Sequence, residues 1–88
     1  MSTLTLPTVH INGSSRDGLL EDYMAAMDSI RLAMKAVQAA APHPRDYYVQ
    51  SNMSAHLARD EHVTRLARLR ETLDELNTLA EHVAGVTP

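Results

Sequence analysis

Cysteine, phenylalanine and tryptophan are absent from this 88-residue sequence, and tyrosine occurs only three times. Without cysteine there is no disulfide scaffold and no thiolate zinc site, and without large aromatics the usual anchors of a small core are missing. No stretch approaches the ~18 uninterrupted apolar residues of a membrane-spanning helix. Met1 to Val9 carries no positive charge and no continuous apolar run, which argues against a secretory signal. The lack of a signal and of a membrane span predicts a soluble, intracellular protein. A chain of this length buries only about 60–65% of its unfolded surface, so the core must be thin and stability must come from helices or from partners.

Positive charge is also scarce. Eight Lys and Arg face eleven Asp and Glu, a net charge of −3, which disfavours broad nucleic-acid or anionic-membrane binding. The exception is local: Arg59, Arg65, Arg68 and Arg70 share twelve residues with only Asp60 and Glu61, a segment of net +2. Glu61 with Arg65 and Arg70 with Asp74 have the i,i+4 spacing of helix-surface ion pairs.

What is present is a helical pattern. Residues 1–13 hold Pro7, Gly13 and β-branched Thr3, Thr5, Thr8, Val9 and Ile11, and read as an extended arm. Ser14 is the expected N-cap, with Asp17 three residues on and Asp17, Glu21 and Asp22 favourable to the helix dipole. Helix one is expected over 14–41, with apolar Leu20, Tyr23, Met27, Ile30, Met34, Val37 and Ala41 alternating at spacings of 3 and 4. Pro42 and Pro44 end it. The connection, 42–51, exceeds the ~2–8 residues common between packed helices. Helix two is expected over 52–84, capped by Asn52 or Ser54 and stopped by Gly85, with 85–88 as a tail.

The seam of helix two is His62, Leu66, Leu69, Leu73, Leu76, Ala80 and Val83, and continued backwards it meets Arg59 and Ala55. Polar groups thus occupy positions where a facing helix wants apolar ones, a local inconsistency of the kind that marks functional sites. Leu19, Met24, Leu32, Leu57, Val63 and Leu79 lie off the stripe and widen the apolar surface. The expected fold class is therefore all-α: one domain over 1–88, an antiparallel two-helix hairpin with an extended N-terminal arm, assembling with itself into an oligomeric helical bundle.

No catalytic motif has a specific spacing. His56 and His62 are six residues apart, about 240° around a helix, and no His-Glu-x-x-His pair occurs, so no metal or other cofactor is expected. Ser14, Ser15, Ser51 and Ser54 fall in cap or turn contexts, and no enzyme activity is expected. Two clusters invite a ligand instead. Arg45, Tyr47, Tyr48 and Gln50 combine flat aromatic faces with a planar guanidinium fork, suited to a nucleotide-like ligand. His10, Asn12 and Gly13 lead into the amino end of helix one, where free N–H groups favour an anion. In an antiparallel hairpin these clusters lie at opposite ends and meet only across subunits, in composite pockets that include Arg59 and His62.

Across Thr8-Val9-His10-Ile11-Asn12-Gly13-Ser14-Ser15, Ala41-Pro42 leading to Arg45-Asp46-Tyr47-Tyr48-Val49-Gln50, and the leucine-striped second helix, the chain resembles a set of small uncharacterised helical proteins of tailed phages and prophages. Pro44 stands where that set has Gly. The resemblance implies a protein acting in an infected bacterial host and raises counter-defence. The functional expectation is a non-enzymatic oligomer that sequesters a host nucleotide-type immune signal, by analogy with phage sponge proteins. The alternative is a protein-binding inhibitor of a host defence or regulatory protein that uses its helical faces, and a structural role in virion assembly is a third.

Overall fold

The computed structural model describes residues 3–85, so the outermost residues of the expected arm (1 and 2) and tail (86–88) lie outside the described range. Two helices, α1 (Arg16–Ala39) and α2 (Asn52–Ala84), pack on each other as a hairpin, and no strand occurs among the described residues. The all-helical hairpin expected from the periodicity is the fold. Its long dimension is 61 Å against 25 and 22 Å across.

Several boundaries differ from the expectation for local reasons. Ser15, not Ser14, caps α1: its hydroxyl accepts from the Gly18 N–H at 3.0 Å. The chain just upstream is committed to a turn closed by the Gly13 N–H on the His10 carbonyl, and Ser15 is the extended residue after it. Because Gly18 has no side chain to reach back, no reciprocal capping box forms. At the other end α1 stops at Ala39, with Ala40 as its cap, rather than reaching Ala41. Pro42 forces the residue before it out of the α region. α2 is capped by Ser51, whose hydroxyl accepts from the Ser54 N–H at 3.0 Å and lies 2.8 Å from the Ser54 hydroxyl. Ser51→Ala is expected to cost about 1 kcal/mol, read as a lower midpoint in urea unfolding followed by circular dichroism. Gly85 closes α2 with φ +83°, the left-handed cap expected there.

The long connection is a run of tight turns. Pro44–Asp46 form a 3-10 turn entered through the His43 ring, whose Nδ1 accepts from the Arg45 N–H at 3.1 Å. The N–H groups of Tyr47 and Tyr48 then both donate to the Pro44 carbonyl, and Gln50 N–H donates to Tyr47. Proline's preset φ makes Pro44 a suitable first residue for such a turn.

The two stripes meet as their spacing requires. Met27, Met34, Leu73 and Ala80 are buried and packed with half-buried Leu20, Tyr23, Ile30, Leu69 and Leu76. Val83 and His62 are buried as well. Ala41, counted in the stripe, is exposed because α1 has already ended. Off the stripe, Leu19 and Leu79 are half-buried, whereas Met24, Leu32, Leu57 and Val63 are exposed. At the open end of the hairpin the arm folds back on α2: the His82 ring Nε2 lies 2.9 Å from the Pro7 carbonyl, and Leu4 and Pro7 are half-buried.

Candidate functional site at the loop end of the hairpin

α2 is nine residues longer than α1, 33 against 24. The seam face of α2 therefore continues past the end of α1 and finds no helix opposite it. Asn52, Ala55, His56, Arg59, His62 and Val63 share this face, recurring at the three- and four-residue intervals of one helix side. The connection wraps round as the other wall, through Ala41, Pro42, Pro44 and Tyr48. Between them lies a cleft of about 660 Å³, within the roughly 300–1,000 Å³ typical of small-molecule sites. The polar interruption noted at Arg59 and Ala55 is thus the lining of a cavity rather than a defect in helix packing.

The one formal charge lining the cleft is the Arg59 guanidinium. Arg59, His56 and His62 line it and no Asp or Glu does, in a protein whose net charge is −3. His62 is 8% exposed, the buried polar side chain of the described core, and it makes no hydrogen bond to any described residue. No fully enclosed side-chain nitrogen or oxygen lacks a partner among the described residues, so the His62 ring nitrogens are not sealed from solvent, and the residue lines the cleft. A buried polar group retains its hydration or finds a partner in its ligand. Arg59 adds a planar fork of donors, Asn52 an amide, and Tyr48 an exposed aromatic face at the rim.

The eight residues singled out from sequence divide into three groups. Tyr48 and Arg59 line the cleft. Arg45, Tyr47 and Gln50 belong to the same connection but are not among its lining residues, and Tyr47 is half-buried with its carbonyl accepting from Gln50. His10, Asn12 and Gly13 sit at the opposite end, where the His10 ring lies directly over Gly13; a methyl group there would meet Nε2 at 2.8 Å. Within one chain the two clusters do not come together, as the antiparallel topology requires.

Sequence reasoning did not assign Asn52 or His56 to a ligand, and it placed His62 only in a pocket shared between subunits. The signal was the backward continuation of the stripe, which put His62, Arg59 and Ala55 on one face; what could not be read was that α1 ends too soon to cover them. The surface pairs expected between Glu61 and Arg65 and between Arg70 and Asp74 do not form: among the described residues the one ion pair is Arg31 with Asp28, at 3.0 Å on an exposed surface. Long exposed side chains gain little from such pairing. Among the described residues no three His, Asp or Glu side chains group as a metal site, and no helix is long and apolar enough to cross a membrane. Comparison with known proteins yields no matching family model, no matching curated protein and no matching solved structure.

Proposed function

We propose that this chain is a non-enzymatic binding protein that holds a nucleotide-type anion in its loop-end cleft and thereby sequesters a host immune signal. On this reading it is phage-encoded, acts in the cytoplasm of the infected bacterium and works as a homo-oligomer. The observation that carries the ligand assignment is the cleft lining: Arg59, His56 and His62 with no carboxylate, and Tyr48 at the rim. An aromatic face stacks on a base and a guanidinium holds a phosphate in a bidentate fork. Asn52 supplies an amide for base-edge or ribose hydroxyls. Serine hydroxyls nearby serve as caps, Ser51 to Ser54 in particular, which leaves the cleft without a nucleophile paired to a base and favours holding over turnover. The resemblance to phage proteins supplies the biological setting.

The test is a thermal-shift panel of nucleoside mono- and diphosphates and cyclic nucleotides. A ligand present at a hundred times its Kd stabilises by about 2.7 kcal/mol, a shift of roughly 10–20 °C for a chain this small. Arg59→Ala and Tyr48→Ala, both at exposed positions, are expected to abolish that shift while leaving melting without ligand nearly unchanged. If no nucleotide raises the melting temperature, the small-ligand reading falls.

A second reading, a protein-binding inhibitor of a host defence or regulatory protein, is favoured by one observation: Leu32 on α1 is 70% exposed, and Met24, Leu57 and Val63 are also uncovered. Exposed apolar and methionine-bearing helix faces suit adaptable protein contacts.

A further inference from the structure

Charge is not spread evenly along the hairpin. Residues 31–70, the loop-side part, hold seven Lys and Arg and three acids, net +4, whereas residues 3–30 and 71–85 hold Arg16 and eight acids, net −7. The fold converts this division of the sequence into a division of space, because residues 31–38 of α1 lie level with Arg70 and Leu73 of α2. One end of a 61 Å rod is basic and the other acidic. With Arg31 and Asp28 the one ion pair among the described residues, most of the charge at each end is left without an ion-pair partner in its own chain.

Exposed apolar side chains also gather at the two ends. Tyr48, Val49, Met53, Leu57 and Val63 mark the loop end, and Leu6, Val9, Ile11 and Met24 the open end, with Ile11 97% exposed and Leu32 alone between the two groups. The total accessible surface is 6910 Å², whereas a folded monomer of this mass exposes about 5,100 Å². The excess of about 1,800 Å² exceeds the roughly 800 Å² per partner that a stable interface of ordinary size removes. The radius of gyration is 18.3 Å, against about 12 Å for a compact chain of this length.

We infer that two copies pair side by side in opposite directions about a two-fold axis, the basic loop end of each lying on the acidic open end of the other. A two-fold interface is self-complementary: whatever one end offers the other, it receives in return. A parallel pair would stack +4 on +4 and −7 on −7, which electrostatics opposes. The antiparallel pair brings the arm of one copy, with Ile11, His10 and Asn12, to the open side of its partner's cleft beside Tyr48. The cleft is then completed by the second chain, and the two clusters that the topology separates within one chain meet between two. Only the completion of the cleft rests on the small-ligand reading; the pairing stands on charge and surface.

Sedimentation equilibrium at low salt tests the pairing. A mass of twice 9.7 kDa is expected, with the dissociation constant rising at least about tenfold between 0.05 and 0.5 M NaCl as screening shortens the reach of the charges. Orientation is read with the chain's natural lack of cysteine. The double variant Ile11→Cys with Val49→Cys, treated with a short bismaleimide, is expected to give covalent dimers, because the two positions lie at opposite ends of one chain. Ile11→Cys alone is expected to give none. A single-chain mass at low salt, or efficient cross-linking of Ile11→Cys alone, overturns the antiparallel pair. A monomer that still binds a nucleotide removes the pairing and keeps the ligand reading; a dimer that no nucleotide stabilises does the reverse.

Discussion

Met27→Ala is expected to lower stability by about 2–5 kcal/mol, the range for truncating a buried Met, Leu or Ile to Ala. Met27 is 2% exposed and belongs to a buried cluster of four, with Met34, Leu73 and Ala80. No side chain of the described core is enclosed completely, so the methylenes lost at position 27 have few neighbours to take their place. In a domain this small each kcal/mol moves the melting temperature by roughly 4–8 °C. Calorimetry at a fixed protein concentration reads the effect, and Met27→Leu, which conserves volume, is expected to stay within about 1.5 kcal/mol of the parent. A drop under 1 kcal/mol for Met27→Ala would mean that the interhelical seam is not the main source of stability.

His62→Leu is expected to act in two opposite directions. It occupies a seam position on α2, is 8% exposed, and makes no hydrogen bond to a described residue, so an apolar side chain of similar size is expected to raise stability by about 1 kcal/mol, because it buries apolar surface where the imidazole has to keep its hydration. The same change removes the one buried polar side chain among the residues lining the cleft, and ligand-induced stabilisation should be lost. Gain of stability with loss of binding is the trade-off expected where a binding group is held at the expense of packing. Measuring the melting temperature of His62→Leu with and without nucleotide separates this from a structural role: a loss of stability in the ligand-free protein would make His62 a packing residue.

Much of the fold was legible because helix packing is written in a short-range code. The 3-and-4 spacing of Met27, Ile30 and Met34, and of Leu69, Leu73 and Leu76, specifies one apolar face per helix wherever the helices go, and those are the residues that meet. Proline at 42 and glycine at 85 act within one or two residues of themselves, so the helix ends they impose came within two residues of the observed ones. Cap choice was less legible. Ser14 and Ser15 are chemically equivalent, and the turn between His10 and Gly13 decides between them.

The site was legible only in outline. Tyr48 and Arg59 could be singled out by chemistry, yet Arg45 and Tyr47 have the same chemistry and do not line the cleft. Which side chains of a loop face a cavity depends on its turn geometry, here the shared acceptor at the Pro44 carbonyl, and composition does not encode that.

By itself the sequence determined the helical class, the two apolar stripes, the stops between them and the uneven charge, because each depends on residues close together along the chain. Tertiary structure alone decided that α2 overruns α1, leaving the stripe's polar members facing a cleft instead of a helix. It also decided that the basic segment and the acidic segments lie at opposite ends of one rod. Both outcomes depend on how residues distant in sequence are brought level, and that alignment is set by the packing of two helices of unequal length.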